Sequence, residues 1–276
     1  MVEEFTPLQR ARAAAETALV RVVHHYGSRP EFVVLGGLVP ELLCSRSRFR
    51  HAGTIDVDVQ VDIEIAGGVV NASRLENALR NADFEPDAEK VWRWRAESLP
   101  TRTIVKFELL ADLDDTPAEA TILFDGCRDL GAVNLRGTGF AAQDFVSYPL
   151  RAKIGGDIHE VEVNVTGLAG FLLAKAAAAH SRRKPKDWYD IAFVLLHNDE
   201  GGPEAAGARI HDRFAGQLSG PIRTALDDLL ANFETTAAQG PLAYALQMTE
   251  VHPELGSSEV AADAVTAVHE FHSAIF

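Results

Sequence analysis

The sequence predicts an α/β protein with a mixed-sheet core to about residue 165 and an α-helical region after it. Residues 54–65 alternate between apolar and polar side chains, the two-residue period of a strand with one buried face. After Val165 long stretches rich in Ala and Leu are typical of helices. We therefore expect two domains, a core over 1–165 and a helical domain over 166–276.

Local signals place the elements in chain order. Thr6 and Pro7 are typical of a helix start, and Gly27 of a helix end, so the first helix is expected to run to about residue 25. A tight turn is expected at Gly36-Gly37. Further helices are expected over 38–45, 73–81, 167–181 and 187–197, and from Pro203 onward. Strands, recognised by β-branched and aromatic residues, are expected at 31–35, 54–65, 91–95, 103–110, 121–124, 146–154 and 158–165.

Composition narrows the classes of protein that remain. Of 276 residues 47% are hydrophobic, which excludes a largely disordered chain, and the net charge is −14. A uniformly basic nucleic-acid-coating protein is therefore excluded, and any such contact must come from local basic patches. Cys44 and Cys127 do not make a disulfide framework. No apolar run approaches the roughly 20 residues of a membrane span, and the N-terminus lacks a signal-peptide pattern, so we expect a cytoplasmic protein with no membrane partner.

The acidic strand carries the first chemical signal. In TIDVDVQVDIEI, Asp56 and Asp58 fall on the same strand face, about 7 Å apart. Neighbouring carboxylates repel unless a cation lies between them, and Mg²⁺ commonly takes one or two carboxylates plus substrate phosphates. The upstream Gly36-Gly37 turn lets the backbone approach phosphate oxygens closely. The pattern favours a site for Mg²⁺ (or Mn²⁺) and phosphate groups, and the alternative is a solvated acidic strand face.

These segments together resemble a known family. VVLGGLVPELL followed by HAGTIDVDV is similar to the nucleotidyltransferase signature, in particular to that of the AbiEii-type toxins of type IV toxin–antitoxin systems. Thr54, Asp56 and Asp58 match the family's Arg-x-Thr-x-Asp-hydrophobic-Asp pattern, with Arg50 and His51 near the place of its arginine. The resemblance implies a nucleotidyltransferase-like mixed sheet and places Thr54 in the nucleotide site with Gly36 and Gly37.

A third carboxylate is expected from a later strand. The best match to the family is Glu108 in VKFELLAD, which shares a strand face with Lys106 and would bind metal or act as a general base. The family usually has Asp there. Asp125 is a rival candidate, Asp112 is a weaker one, and a plain surface glutamate is the alternative to all of these.

The second family motif lies in LLAKAAAAHSRRKPKDWYDIAFVLL. The residues that match it are Lys175, Arg182 or Arg183, Lys186, Asp187 and Asp190. The resemblance implies that Lys175 and Lys186 bind the triphosphate and that Asp187 supports the base or holds Lys175. The alternative is a basic linker followed by an acidic helix start, and we favour this structural role for Asp190. Trp188 and Tyr189 are expected in the core rather than stacked on a base.

Three basic clusters accompany these motifs, either as nucleic-acid contacts or as solvated charged faces. They are Arg46, Arg48, Arg50 and His51; Arg93, Arg95 and Arg102, interleaved with Trp92 and Trp94; and Arg182, Arg183, Lys184 and Lys186.

The activity that the resemblance implies is transfer of a nucleoside monophosphate from a nucleoside triphosphate (NTP) to a hydroxyl, with Asp56, Asp58 and Glu108 holding the metal and Lys175 and Asp187 completing the site from the helical domain. The acceptor would be RNA, in particular tRNA, and a separate antitoxin protein would be the partner. Two alternatives remain: a small-molecule enzyme of the aminoglycoside type, since the net charge of −14 favours a cationic acceptor, and a non-catalytic binding protein. Two departures from the family pattern favour the non-catalytic protein: Leu38, where the family often has a small or hydroxyl residue, and Glu108, where it usually has Asp.

Overall fold

A computed structural model describes residues 7–98 and 102–276 of the chain, except for the side chains of residues 7–9, 63 and 64. The chain forms two compact units. The first comprises the residues up to Leu38 together with Gly53–Thr166, and the second comprises Val39–Ala52 together with Gly167–Phe276. The segment 39–52, expected within the core domain, thus belongs to the second unit. Thr6, the expected helix cap, lies outside the described residues.

The first unit is built on one mixed sheet. Its nine strands in the described residues are β1 Val33–Leu35, β2 Asp56–Gln60, β3 Glu85–Pro86, β4 Arg93–Ser98, β5 Thr103–Ala111, β6 Thr121–Leu123, β7 Gly131–Asn134, β8 Phe145–Ile154 and β9 Asp157–Thr166. The main path runs β3-β4-β5-β2-β1-β9-β8, and β7 pairs with β5 and β6. The pairs β1/β9, β2/β5 and β5/β7 are parallel, and the other pairs are antiparallel.

Helices occupy both units. Within the described residues they are α1 Pro7–Tyr26, α2 Val39–Leu43, α3 Asp62–Ala66, α4 Val69–Asn81, α5 Gly139–Gln143, α6 Leu168–Arg182, α7 Pro185–His197, α8 Pro203–Phe214, α9 Pro221–Asn232, α10 Gln239–Val251 and α11 Ser257–Ile275. Short 3-10 helices form at Gly36–Leu38 and Ala215–Gln217. The predicted fold class, a mixed α/β core followed by a helical C-terminal region, is confirmed.

The two faces of the sheet differ as the alternation in β2 predicts. Val57 and Val59 are fully buried, as are Phe107 and Leu109 on β5. The long helix α1 packs across β2, β4, β5, β8 and β9. Burying these side chains under α1 removes a continuous apolar surface from water, which is the main stabilising contribution in such a layer. The opposite face of β2 is left to Asp56 and Asp58.

The predicted strand over 54–65 is wrong beyond Gln60. The last ladder bond runs from Val61 N–H to the Leu110 carbonyl, and α3 begins at Asp62. Asp62 accepts a hydrogen bond from Asp112 N–H at 2.9 Å, and an acidic residue in the first turn of a helix is favourable. The short elements β3, β7 and α5 were not predicted, since segments of two to five residues carry little periodicity.

The second unit is helical and centres on α7. Every residue from Asp187 to Leu195 is buried, because α7 packs against α2, α6, α8, α10 and α11. A helix buried on all sides must bury its polar residues too, and these need partners. Among the residues that the structure describes, no helix combines the length and the apolar character needed to cross a bilayer.

Candidate active site

The turn after β1 and the acidic strand β2 meet at Gly36 and Asp58. Leu35 is the register partner of Asp58, so the turn begins next to that carboxylate. Gly36 has a φ of +77°, a conformation that L side chains rarely adopt. A Cβ on Gly36 would lie 2.0 Å from Asp58 Oδ2, so the carboxylate fills the space of the missing side chain. Glycine is therefore required here for both its backbone conformation and its size. Gly37 and Leu38 follow, both buried.

Asp56 lies on the same strand face, two residues before Asp58. The Thr54 hydroxyl accepts a hydrogen bond from Asp56 N–H at 3.1 Å and so shapes the entry into β2. Asp56 Oδ1 is shielded from solvent and has no hydrogen bond among the described residues, although the side chain as a whole is 36% exposed. Lys106 Nζ lies 3.3 Å from this oxygen, as an ion pair without hydrogen-bond geometry. Asp56 is thus paired only loosely.

Glu108 is the third acid on this face. It is the register partner of Asp58 on the neighbouring strand β5. Its other cross-strand neighbour is Arg93 on β4, whose Nε donates to Glu108 Oε1 at 2.6 Å. Asp125, the rival candidate, lies exposed in the turn after β6 and has no place in this row.

The weaker candidate Asp112 has a structural role. Its Oδ2 accepts hydrogen bonds from Gly137 N–H at 2.8 Å and Gly139 N–H at 3.1 Å. Arg136 Nη1 lies 3.5 Å from Asp112 Oδ1. The carboxylate therefore organises the chain that leads into α5.

Whether this face can bind a metal ion depends on two of its acids, Asp56 and Asp58. Within residues 7–98 and 102–276, no three His, Cys, Asp or Glu side chains are grouped to hold a metal ion. Arg93 holds Glu108, so the three-acid site expected from the sequence is not preformed. Asp56 and Asp58 remain, and Asp56 offers an oxygen that lacks a hydrogen bond. Two carboxylates are the usual protein contribution to Mg²⁺ that arrives with phosphates, so the pair fits a metal–nucleotide complex.

The second unit gathers its motif residues into a buried ionic cluster around Lys175. Lys175 Nζ lies 3.0 Å from Asp187 Oδ1 and 2.6 Å from Asp190 Oδ2. Arg182 also donates to Asp187, from Nε at 2.6 Å and Nη2 at 2.7 Å. Lys186 Nζ approaches both Asp190 oxygens at 3.4 Å. Lys175, Asp187 and Asp190 are all buried, so these pairs tie α6 to α7 in the interior of the second unit.

The electrostatics of the cluster favour its charged form. Burial alone would lower the pKa of Lys175, but the Asp190 and Asp187 carboxylates outweigh it and raise that pKa. Burial opposes the charge on both acids, yet Lys175 and Arg182 lower the pKa of Asp187, and Lys175 and Lys186 lower that of Asp190 far below its usual value. Both carboxylates contact Lys175, and Asp190 is a fully buried ion-pair partner rather than part of a solvated acidic helix start. The phosphate contacts expected of Lys175 and Lys186 stay predictions.

The segment 39–52 joins this cluster through His51. Its Nε2 lies within hydrogen-bond distance of Asp190 Oδ1, at 2.9 Å. Burial lowers the pKa of His51, although the Asp190 carboxylate opposes this shift. The Tyr189 hydroxyl accepts a hydrogen bond from Ala52 N–H at 2.8 Å. Tyr189 and Trp188 are buried, as predicted for core residues. His51 therefore contributes to the buried contacts that attach segment 39–52 to α7.

The basic clusters are largely engaged in ion pairs. Arg95 pairs with Asp87, and Arg183 with Asp228. Trp94, which lies between Arg93 and Arg95 in the chain, is fully buried, so its ring is not exposed to a nucleic-acid base. Trp92 packs on the apolar cluster that includes Val33 and Leu110.

The predicted site residues thus fall into two groups, each brought together within its own unit. The first group lies in the first unit: Gly36, Gly37, Thr54, Asp56, Asp58 and Glu108. The second group lies in the second unit: Lys175, Lys186 and Asp187. Sequence reasoning missed the cross-strand partners Lys106 and Arg93. Lys106 shares a face with Glu108, but only strand register shows which acid each base meets.

Comparison with known proteins adds little. No protein-family model matches the chain, and no curated protein sequence matches it. Among solved structures, the chain is similar to an antigenic nucleotidyltransferase-like protein from Paracoccidioides brasiliensis, with 16% sequence identity and a TM-score of 0.44. The match covers 83% of this chain and 92% of that one. A likeness this low carries no argument about function, which must come from the residues themselves.

Proposed function

We propose that the first unit is a nucleotidyltransferase domain that binds a Mg²⁺–NTP complex at Gly36, Asp56 and Asp58. One observation carries the proposal: the Asp58 carboxylate lies against Gly36, with Oδ2 only 2.0 Å from where a Cβ would stand, at a backbone position of positive φ. The Asp58 carboxylate and backbone that lacks a side chain, at Gly36, therefore lie next to each other at the edge of the turn. This is the combination that a metal-bound phosphate requires.

Each residue has a defined task in this proposal. Asp56 and Asp58 hold the cation, Gly36 admits the Asp58 carboxylate, and the Thr54 hydroxyl holds the Asp56 backbone. The bound Mg²⁺ would neutralise phosphate charge as pyrophosphate leaves. Catalysis of this kind rests mainly on positioning and charge neutralisation. The protein therefore needs a rigid site more than a reactive side chain.

The acceptor that we propose is RNA, with tRNA first, in a toxin that a separate antitoxin protein neutralises. The resemblance of both sequence motifs to the AbiEii-type toxins supports this choice. The net charge of −14 instead favours a cationic small molecule of the aminoglycoside type. Both acceptors belong in the same experiment.

The experiment supplies each α-³²P-labelled NTP with Mg²⁺ and either total tRNA or a panel of aminoglycosides. Asp58→Asn is expected to lower transfer at least about 100-fold, because it removes charge aimed at the metal. Asp157→Asn is the matched control, since Asp157 is exposed at the start of β9 and should leave transfer unchanged. Label in RNA supports the toxin, and label in the drug supports the small-molecule enzyme. Transfer that survives in Asp58→Asn would refute the site.

A second candidate is a non-catalytic nucleotide-binding protein. The ion pair between Arg93 and Glu108 favours it, because it engages the third acid that was expected to complete the catalytic site. This candidate predicts that the wild-type protein binds ATP with Mg²⁺ in calorimetry but labels no acceptor. Nucleotide binding that is equal in wild type and Asp58→Asn would contradict both candidates.

A further inference from the structure

The polar face of the sheet carries two parallel rows of charge across strands β2, β5 and β4. One row contains Asp58, Glu108 and Arg93, and the other contains Asp56, Lys106 and Arg95. In the first row the cation is already engaged, because Arg93 forms a short, partly buried ion pair with Glu108. In the second row Arg95 pairs with Asp87 on its outer side. Lys106 is therefore the cation left to Asp56.

The contact between Lys106 and Asp56 is weak enough for a metal ion to displace the lysine. The ammonium lies 3.3 Å from Asp56 Oδ1, an oxygen shielded from solvent and without a hydrogen bond among the described residues. The side chains are 30% and 36% exposed, so the pair is weak and the lysine has solvent into which it can move. A weakly held cation beside an unsatisfied carboxylate oxygen occupies the place where a metal ion would bind.

We propose that Lys106 is a tethered cation that neutralises Asp56 while the site lacks metal and contacts the nucleotide phosphates once the metal has displaced it. The proposal rests on the proposed function and adds a phosphate-binding residue to it. Lysine suits both states, because its ammonium is a point charge on a flexible chain and binds carboxylate or phosphate without a fixed geometry. Its removal should act oppositely on the two ligands, favouring the free metal and disfavouring the nucleotide.

The test measures binding of Mn²⁺ alone, followed by the electron paramagnetic resonance signal of free Mn²⁺. Mn²⁺ and Mg²⁺ prefer the same oxygen ligands. Lys106→Met is expected to bind Mn²⁺ about fivefold more tightly than wild type, the size of an exposed ion pair. Lys106→Arg, which keeps the charge, should resemble wild type. Arg95→Met is the matched control, because it removes the same charge from the next position of the row without touching Asp56.

The second measurement is calorimetric titration of ATP with Mn²⁺ present. Lys106→Met should weaken ATP binding about tenfold, a typical loss for a charge-assisted phosphate contact, whereas Arg95→Met should not. Equal tightening of Mn²⁺ in Lys106→Met and Arg95→Met would show a general field effect and overturn the proposal. So would unchanged Mn²⁺ affinity in Lys106→Met, or unchanged or tighter ATP binding.

Asp56→Asn separates this proposal from the function on which it rests. Mn²⁺ binding that depends on Asp56 but ignores Lys106 refutes only the role of Lys106. Absence of Mn²⁺ binding in the wild type overturns the displacement of Lys106 by the metal. ATP–Mn²⁺ binding that is absent, or is equal in wild type and Asp56→Asn, refutes the metal site itself and the role of Lys106 with it. Circular dichroism confirms that each variant is folded, and Lys106 is partly exposed, so its substitution should be tolerated.

Discussion

Replacement of Lys175 by Met tests whether the buried cluster of the second unit holds α6 and α7 together. The substitution keeps the length of the side chain but leaves Asp187 and Asp190 without their shared cation. Removal of one partner of a buried ion pair costs about 3–5 kcal/mol. Asp187 keeps Arg182, and Asp190 keeps His51, so we expect the lower limit, about 3 kcal/mol. This is a large part of the 5–15 kcal/mol that stabilises an ordinary domain.

The assay is urea unfolding combined with native-state hydrogen exchange of the α7 amides, which reports the second unit separately. Lys186→Met is the matched control. It removes a half-exposed ammonium that lies 3.4 Å from the same Asp190 carboxylate, and it should cost less than about 1 kcal/mol. Adding Asp190→Asn to Lys175→Met should recover part of the loss, because it removes a buried charge left with fewer partners. A cost below about 1 kcal/mol for Lys175→Met would show that the cluster does not hold α6 and α7 together.

Two further predictions concern backbone conformation and pH. Gly36→Ala should cost about 1–2 kcal/mol for the positive φ and should also displace the Asp58 carboxylate, weakening Mn²⁺ binding at least about tenfold. Gly155→Ala, at a φ of +63° with open space around it, should show the strain without the loss of binding, and equal effects would contradict the packing argument. For His197, burial followed by the charges of Arg48 and His252 lowers the pKa to about 4. The unfolded chain therefore takes up the proton first, and stability present above about pH 6.5 should fall between pH 6.5 and 4, by up to about 3 kcal/mol. His197→Gln should flatten that part of the stability–pH curve, and a slope unchanged by the substitution would rule His197 out as its cause.

The strand faces and turns of the first unit can largely be predicted from the sequence, because the patterns that indicate them are local. The period of two in β2 separates the apolar face of Val57 and Val59 from the acidic face, whatever strands lie beside it. Gly36 was recognisable as a turn residue, although the reason it cannot be larger lies in Asp58, which follows much later in the chain. The prediction that β2 continues past Gln60 is wrong because the apolar–polar alternation continues into α3. The strand ends where its ladder hydrogen bonds end, and the side-chain pattern does not show this.

The ion pairs cannot be predicted from the sequence in this way, because they depend on strand register and on packing. Glu108 stays a predicted metal ligand, but only strand pairing shows that Arg93 lies opposite it, because a one-residue shift of register would turn these side chains to opposite faces. His51 lies 139 positions from Asp190, and no local signal joins them. Which side chains share a strand face therefore follows from the amino-acid order, because the backbone alternates them. Which charges neutralise one another depends on packing, because an ion pair forms between neighbours in space whatever their distance along the chain.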